Sequence, residues 1–177
     1  GREYFIPNTR DKENPLTVSD EGFIEHICKK PMNISKALYT SLTGISPVMA
    51  EEICYRASID GSDAAQSLDD TACMHLYHTF LRLMEQVENR DFTPNIVYRG
   101  EEPVEYGVFP YQQFGSEYHS EIFDSVSTML ETYYATKSLL TRIHQKSADL
   151  RRVVQTALER NRKKYNIQKK QLSDTAK

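Results

Sequence analysis

The sequence predicts a mainly α-helical protein with a small β-hairpin: a helix-hairpin-helix bundle followed by a long coiled-coil helix. Three observations carry that reading. Residues 40–57, TSLTGISPVMAEEICYRA, join two apolar-edged runs through a glycine and a Ser-Pro pair. Residues 95–111 are rich in β-branched and aromatic side chains, the composition of strands. From about Glu121 to Ala176 there is no proline or glycine, and seam positions recur at alternating steps of three and four.

The chain divides into four segments. Residues 1–17 hold Pro7 and Pro15 with few periodic apolar positions and read as an extended connector. A helix-hairpin-helix domain follows over 18–90. Ser19 is placed to cap a short helix, with Asp20 and Glu21 favourable near its N-terminus and Phe23, Ile24 and Ile27 as its apolar face. Lys29-Lys30-Pro31 ends it, because the residue before proline is pushed out of the helical region. Asn33 or Ser35 caps a second helix whose Ala37, Leu38 and Leu42 lie at helical spacing. Gly44 is expected at C′, where glycine takes up the left-handed conformation cheaply. Ser46 and Pro47 restart the chain as N-cap and first residue of a third helix, with Ala50, Ile53 and Cys54 facing inward.

The polar loop at 58–67 separates this hairpin from a longer helix starting at Asp69 or Asp70. Its Cys73, Leu76, Phe80, Leu83, Met84 and Val87 form a broad apolar stripe. Residues 91–118 are read as the β-hairpin segment, with strands at 95–99 and 103–111. Two strands alone are marginal in water, so further partners are expected upstream of this sequence. Residues 119–177 are read as one basic coiled-coil helix. Its seam is Leu140, Ile143, Ser147, Leu150, Val154, Ala157, Asn161, Tyr165, Gln168 and Leu172. A helix of roughly 55 residues spans about 80 Å, too long to bury its stripe on so small a body. It therefore requires another helix, and the isolated fragment is expected to self-associate.

The 177 residues suffice for one modest domain plus an extended element, and 39% hydrophobic with 27% charged content marks a folded rather than disordered chain. No apolar run is long enough to span a membrane. The start lacks a signal-peptide core and an initiator Met, so the chain reads as a piece of a longer protein. Three cysteines, Cys28, Cys54 and Cys73, sit among apolar neighbours at no metal-binding spacing, as buried thiols of a reducing compartment do. A cytoplasmic protein is expected.

The net charge of −3 conceals an asymmetry. Lys137–Lys177 holds 12 basic and 3 acidic residues, 12 − 3 = +9. The remainder holds 10 basic and 22 acidic residues, −12. An excess of nine positive charges over one helix exceeds the mixed signs of an ordinary solvated coiled-coil face, and is the electrostatic footprint of polyanion binding. The candidate contacts are Arg142, Lys146, Arg151, Arg152, Arg160, Arg162, Lys163, Lys164, Lys169 and Lys170.

The hairpin (Leu42, Gly44, Ser46, Pro47) is a weaker candidate. Helix-hairpin-helix modules grip phosphate through amides at the second helix's N-terminus. Here Ser46 stands where the DNA-binding pattern has a second glycine, and no cation lies between Lys36 and Arg56. The hairpin is expected to turn and position the chain. His75 and His78 share a helix face without a recognised ligand set, and Glu51 and Glu52 point to different faces. With no P-loop, GxSxG, GxGxxG or CxxC, no catalytic residue, metal or cofactor is expected, and the chain reads as a non-enzyme.

Four blocks in this order resemble the NFACT family: YFIPNTRDKENP, LTGISPVMAEEICYRA, FTPNIVYRG and TMLETYYATKSLLTRIHQKSADLRRVV. Bacterial members of that family are called RqcH or fibronectin-binding protein A-like proteins. The combination Tyr133, Tyr134, Lys137, Arg142, Ile143, Gln145, Lys146, Asp149 and Leu150 carries most of the specificity. The resemblance implies a middle fragment: the end of the NFACT-N domain, the hairpin module, a returning β-segment and the first arm of an antiparallel coiled coil. It further implies a ribosome-associated quality-control factor that binds obstructed large ribosomal subunits and recruits tRNA for C-terminal alanine tailing. Competing readings are a fragment of a fibronectin-binding surface adhesin, and a structural spacer whose charges only confer solubility.

Overall fold

A computed structural model describes residues 11–175. Residues 1–10 of the expected connector lie outside this range. Its last part is strapped to the body: the Glu13 amide donates to the Ser41 carbonyl at 2.7 Å, and the Thr43 amide to the Glu13 carbonyl at 3.0 Å. Helix α1 (Asp20–Phe23) starts where Ser19 accepts the Gly22 amide, and continues as a single π-helical turn, Ile24–Cys28. Helices α2 (Ile34–Ser41) and α3 (Pro47–Arg56) are capped by Asn33 and Ser46, which accept the Lys36 and Met49 amides at 3.1 Å each. Pro47 takes the first helical position, where its missing amide leaves nothing unpaired.

One expectation in this region is corrected. Gly44 is not the residue that follows the α2 cap. Leu42 already leaves the helix in an extended conformation, with Gly44 two residues further on at φ +78°. Leu42 is fully buried and is held in a parallel bridge to Glu13, which straightens the backbone before the turn can form.

Helix α4 (Asp70–Glu88) is capped by Asp69, which accepts the Ala72 amide at 2.7 Å. Its Cys73, Leu76, Phe80, Leu83 and Met84 are buried in one core with Phe23, Ile27, Leu38 and Ile53. The Phe23 ring lies 5.3 Å from Phe80 and 5.1 Å from Tyr77. Each buried side chain of this size contributes about 1.5–3 kcal/mol of transfer free energy.

Strands β1 (Asn95–Arg99), β2 (Glu102–Gly107) and β3 (Tyr118–Ile122) form an antiparallel sheet in the order β2-β1-β3. The expected hairpin is present with a bulge after Val97, and Pro103 sits on an edge strand, where its missing amide is tolerated. β2 stops at Gly107 rather than running to residue 111. The third strand is an addition. The long helix, expected from residue 119, begins instead at Val126 (α5, Val126–Thr175). Residues 118–122 are drawn onto the free edge of β1, with Arg99 opposite Tyr118 and Val97 opposite Ser120. Ser125 then caps the helix by accepting the Thr128 amide at 3.1 Å. The first turns of α5 pack on the sheet, where Met129 and Tyr133 join Ile96 and Tyr98 in a second apolar cluster.

Candidate nucleic-acid interface

Tyrosines hold the root of α5. Tyr106 of β2 meets the Tyr133 ring edge-on at 4.6 Å, and its hydroxyl lies 3.3 Å from that of Tyr134. Lys137 donates to the Tyr133 hydroxyl at 2.7 Å, which is the main reason its pKa is raised. Its ammonium lies 4.8 Å from the same ring's centre, displaced toward the hydroxyl edge, so the hydrogen bond outweighs the cation–π contact. The three residues singled out at 133–137, Tyr133, Tyr134 and Lys137, thus anchor or border this root.

Beyond the root the helix is exposed. Every residue from 141 to 174 is exposed, which includes all ten candidate cations. At 3.6 residues per turn, successive residues rotate by about 100°. Arg142, Lys146, Arg152, Arg160, Lys163, Lys164 and Lys170 then fall within about 120° of arc, over about 42 Å of helix. Arg151, Arg162 and Lys169 project from the nearly opposite side, about 140–160° from the centre of that face. Leu140, Ile143, Leu150, Val154 and Tyr165 occupy an arc that none of the cations shares. The sequence announced the charge excess; the helical phase sorts it into a face. Acids do little to neutralise it: Arg152 approaches Asp149 only at 3.8 Å, with both side chains largely in water.

The hairpin is placed differently. Leu42 is buried, whereas Gly44, Ser46 and Pro47 are exposed at the α2–α3 connection. The Ser46 hydroxyl is committed to the Met49 amide. Arg56, the nearest cation along α3, is turned to Glu52 at 2.6 Å and to the Pro110 carbonyl. Gly44 and Ser46 border an apolar cleft of ≈ 420 Å³ that also touches Val126 and Met129. The cations begin 13 residues beyond Met129, about 20 Å along the axis. Hairpin and cationic face are therefore separate sites.

His75 and His78 border an open cleft of ≈ 760 Å³ with Arg82, Glu85 and Glu88, while Cys73 is buried in the core. Among the described residues no group of three or more His, Cys, Asp or Glu could hold a metal ion, and no helix is long and apolar enough to cross a membrane. Sequence reasoning missed Glu52, which is fully buried and hydrogen-bonded to the loop after β2. Its spacing of four from Arg56 is a local signal for an ion pair, but not for burial.

The model of the NFACT N-terminal and middle domains matches residues 1–177. Rqc2 homolog RqcH of Bacillus subtilis (strain 168) is 26% identical over 172 residues, covering 97% of this chain and 28% of that protein. The RqcH of Streptococcus suis (strain 05ZYH33) is 26% identical over 175 residues, covering 99% of this chain and 27% of its own length. The chain thus spans little more than a quarter of these curated relatives. A crystal structure described as the fibrinogen binding protein from Staphylococcus aureus superposes with a TM-score of 0.56 at 22% identity, over 76% of this chain and 45% of that one. At that identity the likeness concerns the fold alone.

Proposed function

The chain belongs to the NFACT family, and on that premise we propose that it is the RNA- and ribosome-contacting middle part of a ribosome quality-control factor. Within the whole protein it serves the binding of obstructed large ribosomal subunits and the recruitment of tRNA for C-terminal alanine tailing. The α2–α3 pair acts as a helix-hairpin-helix that positions the chain. The exposed part of α5 is the first arm of a coiled coil and carries the RNA contacts. The protein works in the cytoplasm and by binding, without catalysis in this part.

The observation that supports this reading best is the seven-cation face on a solvent-exposed helix, in a chain whose relatives are RqcH proteins. An A-form RNA helix presents phosphates over a comparable length, and a rod with one cationic side can lie along them. The test is co-sedimentation of this chain with large ribosomal subunits carrying peptidyl-tRNA, across a salt series. Arg160, Arg162, Lys163 and Lys164 are replaced by Glu in the comparison protein. Binding that weakens steeply with salt and is lost in the variant supports the reading. Equal binding by both proteins refutes it in favour of a spacer.

A further inference from the structure

Glu52 is a carboxylate with no exposed surface, in a helix whose other buried residues are apolar. A charge in that position is tolerated only when donors surround it. Four donor contacts do so. The Gln112 amide lies 3.0 Å from each carboxylate oxygen, the Gln113 amide 3.1 Å from one, and the Arg56 Nε 2.6 Å away. The same loop is held twice more: Arg56 donates to the Pro110 carbonyl, and the Gln113 side chain donates to the Val48 carbonyl at 3.0 Å. Residues 110–113 lie between β2 and β3, so these bonds join α3 to the sheet on which α5 is seated.

Among the described residues, little else makes that junction. The helical core and the cluster of Ile96, Tyr98, Met129 and Tyr133 are separate apolar groups. Between them lies the ≈ 420 Å³ cleft, with Met49, Met84 and Val87 on one side and Tyr106, Met129 and Leu130 on the other. Phe109 crosses to the helical core. Without the Glu52 contacts, the sheet and α5 would be tied to the helices mainly by Phe109, Val108, the Arg56–Pro110 and Gln113–Val48 hydrogen bonds and the chain connections.

We propose that Glu52 is a positioning residue: it locks the sheet, and with it the direction of the arm, onto the α2–α3 helices. The loop cannot lift away without breaking the charge-assisted hydrogen bonds that the Gln112 and Gln113 amides donate to the carboxylate, so the two bodies share one orientation. The geometric claim stands on the contacts alone. Its functional consequence, that Glu52 fixes where the cationic face lies relative to the hairpin on an RNA surface, rests on the function proposed above.

The test uses spin labels at His75→Cys on α4 and Thr141→Cys on α5, two exposed sites, while the three native cysteines are buried. Pulsed electron resonance then reads the distance distribution. The parent is expected to give one narrow distribution. Glu52→Ala, or Glu52→Gln where the alanine variant fails to fold, is expected to give one about twofold wider as further orientations become populated. Gln113→Ala, which removes only the side-chain bond to Val48, is expected to fall between them. Ile27→Val, a core truncation remote from the loop, should lower the melting temperature without widening the distribution. An unchanged distribution in folded Glu52→Gln overturns the lock. The measurement contains no RNA, so the two readings fail separately. A widened distribution in a chain that never binds ribosomes keeps the lock and refutes the RNA role, whereas ribosome binding with an unchanged distribution does the reverse.

Discussion

Replacing Arg160, Arg162, Lys163 and Lys164 by Glu takes the charge of residues 137–177 from 12 − 3 = +9 to 8 − 7 = +1. The helical phase makes the expected effect unequal among the four. Arg160, Lys163 and Lys164 lie on the seven-cation face, while Arg162 is rotated from Arg160 by about 160°. If each cation on the face neutralises one phosphate, the slope of log affinity against log salt is about −0.9 × 7, or about −6.3. Losing three contacts leaves about −3.6, before the added carboxylates repel the RNA further. Raising salt from about 50 to about 200 mM should then weaken the parent by about 6,000-fold and the variant by about 150-fold. The assay is binding to large ribosomal subunits or a long RNA duplex over that range. Single substitutions sharpen it: Arg160→Glu should reduce the slope by about 0.9 and Arg162→Glu should leave it nearly unchanged. Equal slopes for those two proteins, or a quadruple variant with the parent's slope, would refute the assignment of one face.

Gly44→Ala should cost about 1 kcal/mol in denaturant unfolding, because φ is +78° while an added Cβ meets nothing within 4 Å. Gly44→Asn should cost less, and neither should alter RNA binding if the hairpin only turns the chain. The Cys54 thiol is pushed up from 9.0 to about 12, first by burial and then by the Glu51 and Asp60 carboxylates. Its folded form holds the proton more tightly, so the stability it contributes is complete below pH 9.0 and is lost as pH rises from there toward about 12. Alkaline titration should show thiolate absorbance appearing together with unfolding; a thiolate formed near pH 9 in the folded chain would count against it. Self-association of the isolated chain through Ile143, Leu150 and Val154 should strengthen with salt, since like charges on the two copies are screened. A monomer at high protein concentration and high salt would remove that expectation.

Local chemistry was the legible part of the fold. Ser19, Asn33, Ser46 and Asp69 announce helix starts because a side-chain oxygen two or three residues before an amide suffices to cap it. The stripes of α3 and α4 are legible for the same reason, since period alone selects the buried face. What was hidden depends on distant partners. Residues 118–122 carry no strand alternation and become a strand only because β1 offers an edge. Glu52 carries no local signal of burial, and is buried because a loop 60 residues later closes over it. The basic arm was visible as a sum of charges, but a sum has no direction. The faces required a single uninterrupted helix, so that rotation per residue could be carried from Arg142 to Lys170.

That rotation separates two surfaces that the sequence superimposed. The apolar positions Ile143, Leu150, Val154 and Tyr165 occupy an arc of about 60°, whose centre lies about 130° from the centre of the cation face. A helix packed on the apolar arc would cover none of the seven cations on that face, and RNA on the cation face would leave the apolar arc free. The two equilibria should therefore not compete. RNA should favour association instead, because phosphates neutralise the like charges that oppose bringing two arms together. Sedimentation of the isolated chain with and without a short RNA duplex measures the coupling directly. Association that is unchanged or tighter with RNA agrees with separate faces. Dissociation on adding RNA would mean that both partners use the same side of the helix, and the phase assigned to Arg142, Arg160 and Lys164 would have to be abandoned.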